Sequence, residues 1–300
     1  MLTPAPAAQG TDAAERVRRT VALLRRRGYA ARPARLGELC LGGPLPEGEV
    51  LEAVAGVADL GLALGLVVDA GGAGRAREIA ARAREHPAAA SVYAPMTLRF
   101  VARLAALPFV VSVAIAGSLA SGGFRASDDV DLNLVVEDGH RHLAYLALNG
   151  LGFLHALGHR AKPVDTHSRR PLAPRLMTAN MILERGQCFP LERQDEDMAF
   201  ELLQSQPVYG SRFLGDLVAA NPGLAGHFPQ LATRPPADLV QPSRRLPAAL
   251  FPALLDRPAE VAGRAAWRYM QWTRRRRPEA LARVAFVRET MRPYNLFPGR

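Results

Sequence analysis

Apolar residues at Val17, Val21 and Leu24 form a helical stripe on a basic segment from Asp12 to Arg27, which Thr11 or Asp12 can cap. Two further helices are predicted over Ala34–Leu41 and Pro46–Leu60, separated by the break Gly42-Gly43-Pro44. Leu62–Val68 then reads as one strand, and Gly71-Gly72-Ala73-Gly74 as the turn after it. Helix–helix–helix–strand–turn fits a winged-helix layout as well as a plain helical domain. Helices over Arg75–Glu85 and Pro95–Leu107 lead into the centre of the chain.

There the period changes from helical to two. Val110–Ala116 is an apolar run ending at Gly117-Ser118, and after a loop Asp128–Val136 alternates. Asp129, Asp131 and Asn133 fall on one face of that second strand, and Val130, Leu132 and Leu134 on the other. A helix follows over His140–Leu157, then a basic, proline-interrupted loop, then a strand over Leu176–Leu183. Asn180, Ile182 and Glu184 are expected on one face of this strand and its end. The remainder is read as helical from Asp195, with a proline-rich linker between Pro222 and Pro242. A last helix spans Pro258–Arg276, with Tyr269 and Trp272 on one side, Trp267 and Met270 on the other. An interior position for both faces is the simpler expectation; stacking on bases or on a partner is the alternative.

The 300-residue length allows two or three domains, and the 49% hydrophobic fraction is that of a globular protein. The +10 formal charge invites a nucleic-acid reading, but Lys162 is the only lysine. Positive charge carried almost wholly by arginine points to a chain-wide compositional bias rather than a dedicated basic patch. Cys40 and Cys188 match no zinc spacing and are expected as reduced core thiols of a cytoplasmic protein. The start lacks the order of a signal peptide, and the apolar stretch Val54–Val68 is too short to span a bilayer, so no membrane is expected.

Two carboxylates two residues apart on a strand can converge on one divalent cation. A glycine-serine turn beside them offers backbone N–H groups and a hydroxyl to phosphate oxygens. Other chemistries fail on spacing. Lys162 follows no glycine-rich turn, so there is no P-loop, and Leu119 stands where a hydrolase elbow around Ser121 needs glycine. Gly72-Ala73-Gly74 lacks a third glycine at Arg77, which excludes a dinucleotide loop. His155 and His159, four apart without an accompanying Glu, are read as an exposed pair that binds no metal.

Gly117-Ser118, a gap, then Asp129-Val130-Asp131 resembles the core motif of the nucleotidyltransferase superfamily that includes DNA polymerase beta. The layout is similar to prokaryotic nucleotidyltransferase-domain proteins with a winged-helix-like region ahead of the core. Leu107-Pro108-Phe109-Val110, Glu201–Gly210 and Ala219-Ala220-Asn221 share in this likeness, which covers roughly residues 12 to 230. The implied fold is α+β, in three parts: a helical, winged-helix-like domain over residues 1–94; a small mixed-sheet nucleotidyltransferase core with flanking helices over 95–186; and a helical C-terminal region over 187–300.

The resemblance implies transfer of a nucleoside monophosphate from a magnesium-bound NTP, expected to be ATP, to an unknown acceptor. Asp129 and Asp131 would hold Mg2+, and Gly117 and Ser118 would bind the triphosphate. Superfamily members usually carry a third acid on a later strand. Here that strand offers Asn180, assigned to nucleotide binding, and Glu184 at its end, assigned as the third catalytic acid. The alternative is a catalytically weak or inactive nucleotide-binding regulator whose N-terminal domain binds DNA or protein.

Overall fold

The computed structural model describes residues 12–163, 174–242, 244–275, 278–290 and 292–297. The expected basic loop begins at His159, and its part within residues 164–173 lies outside them. The protein is α+β and divides into two compact units, Met1–Ala81 with Gly226–Gln230, and Arg82–Ala225 with Leu231–Arg300. No helix among the described residues is long and apolar enough to cross a membrane.

In the N-terminal unit, helix α1 (Ala13–Arg26) is capped by the Asp12 carboxylate, which accepts from the Ala14 N–H. Its expected stripe is buried at Val17, Val21 and Leu24. Helices α2 (Pro33–Glu38) and α3 (Glu47–Gly56) contribute Leu36, Val50 and Val54 to the same interior. The run read as one strand is a hairpin, β1 (Leu60–Ala63) with antiparallel β2 (Leu66–Asp69). Its turn is Leu64-Gly65, both at positive φ, +54° and +73°. Two successive left-handed residues give the primed turn that suits the twist of a tight hairpin. An unbroken apolar run hid it, because Leu64 is a leucine at a 63% exposed turn position. Gly71–Gly74 is therefore not the hairpin turn; it opens helix α4 (Ala73–Leu104). Ala31 forms an isolated antiparallel bridge to Val67 on the other side of β2. The segment from Gly226 to Gln230 returns here, where the His227 carbonyl accepts from the Gly42 N–H and the Gln230 amide donates to the Glu38 and Cys40 carbonyls.

The boundary between units falls inside α4, which replaces the two helices expected from the sequence and carries Pro87 and Pro95 within it. Each interior proline removes a helical hydrogen bond. The Ala88–Ala90 run and the burial of Tyr93, Met96, Phe100, Val101 and Leu104 favour one continuous helix.

The second unit is built on a four-stranded sheet of order β5-β4-β3-β6. Strand β3 (Val110–Ala116) lies antiparallel to β4 (Val130–Val136) and to β6 (Gln206–Tyr209), while β4 lies parallel to β5 (Met177–Glu184). The last four turns of α4, helix α6 (Arg141–Leu157) and α10 (Asp256–Arg274) supply the core against one face, with Val130, Leu132 and Leu134 from β4. Helices α7 (Glu196–Gln204) and α8 (Ser211–Ala220) supply Leu202, Leu214 and Leu217 opposite Ser112, Val135, Met181 and Leu183 on the other. Strand β6 escaped notice in the sequence because it is four residues long and contains Pro207, which an edge strand tolerates. On α10, Trp267 and Met270 pack on the core as one face, but Tyr269 and Trp272 are 66% and 55% exposed, so the expected burial of both faces does not hold.

Gly210, between β6 and α8, sits at φ +64° with its missing Cβ position 2.2 Å from the Val111 carbonyl oxygen. Gly210→Val is expected to lower stability by about 2–4 kcal/mol, from left-handed strain and overlap with β3. Urea unfolding followed by circular dichroism measures it, as a lower midpoint at constant slope.

Candidate functional site

The expected site lies where β3 ends and β4 begins. Ala116 pairs with Asp131 across the antiparallel ladder, so the turn after β3 passes directly over that carboxylate. Gly117 starts the short helix α5 (Gly117–Ser121) at φ +60°, and a Cβ there would lie 2.2 Å from Asp131 Oδ2. Only glycine permits this approach. Since Val130, Leu132 and Leu134 point into the core, Asp131 and Asn133 point to the opposite face. Asp129 precedes the strand and is half-exposed, its Oδ2 3.8 Å from Arg175 Nε.

Two neighbouring residues that the sequence reading passed over organise this corner. Asp128 Oδ2 accepts from Arg82 Nη1 at 2.9 Å, from the Arg125 N–H at 3.1 Å and from Ser118 Oγ at 3.3 Å. The Ser118 hydroxyl, expected on phosphate, therefore ties α5 to the loop ahead of β4. The Arg125 side chain pairs with Glu85 at 3.0 Å. Thr178 is the second residue: it is the β5 partner of Asp131, and its hydroxyl donates to Asp131 Oδ1 at 2.8 Å. The doubled acid at Asp128-Asp129 was visible in the sequence; nothing there marked Thr178.

The assignments on β5 require correction. The β4–β5 register shifts between Leu132 and Asn133, so Asn180 is the extra residue of a bulge. Ala179 and Ile182 pack on the α6 side, while Thr178 and Met181 lie on the acid side. The expected common face of Asn180, Ile182 and Glu184 is broken there. Asn180 Nδ2 donates to Asn133 Oδ1 and to Glu201 Oε1, both at 2.8 Å, and Asn133 Nδ2 donates to the same Glu201 oxygen at 3.1 Å. Asn180 thus joins a buried amide–carboxylate cluster with α7 and does not stand in for an acid beside Asp131. Glu184 pairs with Val136 at the other end of the sheet, six residues beyond Thr178, or about 20 Å of extended chain. Its carboxylate accepts from the Gly139 N–H at 2.8 Å, and it cannot be the third catalytic acid.

That leaves Asp131 under the Gly117 turn and, two residues earlier in the chain, Asp129 at the entry to β4. Among the described residues, no three acidic, His or Cys side chains gather into a metal-ligating group. His155 and His159, expected to be exposed, are half-buried, their ring centroids 4.9 Å apart and the rings tilted by 56°. Magnesium needs no such group: it is commonly held by one or two carboxylates, completed by substrate phosphates and water. The donor set fits a cation that arrives with a nucleotide rather than one held by the protein alone.

No protein-family model matches the chain, and neither the curated proteins nor the solved structures searched contain a match to it.

On α4, His86 Nδ1 accepts from the Phe124 N–H at 3.2 Å and supports the loop between α5 and β4. Burial holds its pKa below the ordinary 6.5, and burial lowers that of His155 as well. The unfolded chain then binds more protons than the folded one between the lowered values and 6.5, so stability rises with pH across that window and is lost on acidification through it. Denaturant unfolding at a series of pH values from 5 to 7.5 is expected to show this loss, and His86→Gln to flatten it.

Proposed function

We propose that the corner formed by Gly117, Asp129 and Asp131 binds a magnesium nucleoside triphosphate, ATP being the expected donor, in a nucleotidyltransferase-like core. The observation that carries the reading is the forced approach of the Gly117 turn to Asp131; backbone N–H groups of such a turn would face phosphate oxygens brought in by a metal on the carboxylates. The resemblance of Gly117-Ser118 and Asp129-Val130-Asp131 to the superfamily motif supports it. Magnesium, when bound, would offset triphosphate charge and polarise the α-phosphoryl group. The reaction would join an acceptor oxygen or nitrogen to the α-phosphorus and release pyrophosphate. Asp129 and Asp131 hold the charge that binds the metal; the turn at Gly117 orients the phosphates; Asp128 keeps that turn closed through Ser118. Calorimetric titration with ATP and magnesium tests the binding. Asp129→Ala with Asp131→Ala is expected to weaken it by at least about a hundredfold, the loss of two charged ligands. An unchanged affinity removes the reading.

Thr178 favours a second reading, of nucleotide binding with little or no turnover. A threonine hydroxyl beside Asp131 is not a base at neutral pH, and a general base typically supplies a factor of about 10²–10⁴. Thr178→Asp is expected to raise pyrophosphate release from labelled ATP in the presence of cell extract as the source of acceptors. Full activity in the wild type, lowered by the substitution, favours the enzyme as it stands. In either reading the N-terminal unit is proposed as a winged-helix-like docking module. The solvent side of α3, the groove-reading helix of such a layout, carries Glu47, Glu49 and Glu52 beside exposed Leu51. That surface repels nucleic-acid phosphates, so a protein partner is preferred over DNA.

A further inference from the structure

The N-terminal unit contains a cavity of about 400 Å³ between the end of α1, strand β2 and the start of α4. Its size falls in the range of small-molecule sites. The floor is apolar, made by Val21, Val67 and Ile79, and Tyr29 stands at one side. The mouth is cationic: Arg25, Arg26 and Arg75 line it against a single acid, Asp69. Arg25 pairs with Asp69, and Arg75 Nη1 donates to the Arg25 carbonyl at 2.9 Å, so two of the three guanidinium groups are held in place by the cavity's own residues. None of these residues takes part in the Asp129/Asp131 corner.

An apolar floor under a mouth with two surplus positive charges selects an amphipathic dianion. A phosphate monoester carries close to two negative charges at neutral pH, and planar guanidinium groups engage its oxygens in pairs. We propose that this cavity is a second ligand site, taking a small phosphate monoester with an aromatic or aliphatic body: the body lies on Ile79 and Tyr29, and the phosphate lies between Arg25 and Arg75. An aromatic body is favoured by Tyr29, whose ring can lie against it.

The test uses the full chain carrying Asp129→Ala and Asp131→Ala, so that binding at the other site does not contribute. Titration with 1-naphthyl phosphate, read by calorimetry, is expected to saturate at one equivalent. Uncharged 1-naphthol and inorganic phosphate, each offering half of the chemistry, are expected to bind at least about tenfold more weakly. Arg25→Gln with Arg75→Gln is expected to cost at least about tenfold, and Ala30→Trp, which fills the half-buried wall of the cavity, to abolish binding. Should the double arginine variant fail to fold, Arg26→Gln alone is expected to weaken binding severalfold. Absence of saturable binding, or binding that the arginine and Ala30 substitutions leave unaltered, overturns the proposal.

Discussion

One steric constraint governs the central corner of this protein: the turn after β3 must cross the Asp131 carboxylate at a distance no side chain allows. Gly117 meets it with a positive φ and no Cβ. The pairing of Ala116 with Asp131 brings the end of the strand to that carboxylate. Once that crossing is made, α5 begins at the end of β3, and Asp128 gathers Ser118, Arg82 and the Arg125 N–H to hold it. Thr178 donates to the other oxygen of the same carboxylate. The glycine, the three-way hydrogen bonding at Asp128 and the threonine form one mechanical unit.

Behind the corner, the polar face of β4 continues into the protein. Glu201 on α7 is 8% exposed and takes two amide donors on a single oxygen, from Asn133 and Asn180. Burying a carboxylate without donors costs several kcal/mol, so α7 is committed to this register against the sheet. The bulge at Asn180 makes the arrangement possible. Without the extra residue, Asn180 and Met181 could not both lie on the α7 side of β5, and either the carboxylate would lose a donor or the apolar layer a side chain. This network explains why a polar residue two positions along from Asp131 is not free to serve the carboxylate pair.

The N-terminal unit separates its charges by face. Arginines crowd the end of α1, where Arg25 and Arg26 border a cavity, while glutamates occupy the outer side of α3. The net charge of +10 averages over these opposed surfaces and describes neither. A basic total is therefore a poor guide to whether this unit meets nucleic acid, protein or a small anion.

How much was legible in the chain follows from which signals are local. The stripe of α1, the Asp12 cap, the two central strands and the face shared by Asp131 and Asn133 were all readable, because a helix or strand period and a cap depend on neighbouring residues alone. The Leu64-Gly65 turn was hidden by an apolar residue in a turn position, and β6 by its brevity and its proline. Two helices were expected where the packing of α4 joins them into one through Pro87 and Pro95. The partners of the acids were not readable at all. Thr178 reaches Asp131 through a parallel pairing with a strand some 47 residues away, and Asn180 leaves the line through a one-residue bulge whose existence depends on that pairing. Glu184 seemed aligned because a strand period was extended through the bulge, when a single extra residue reverses every face beyond it. Periodicity is written in consecutive residues; register between distant strands is set by the packing of both sheet faces, and only the folded chain decides it.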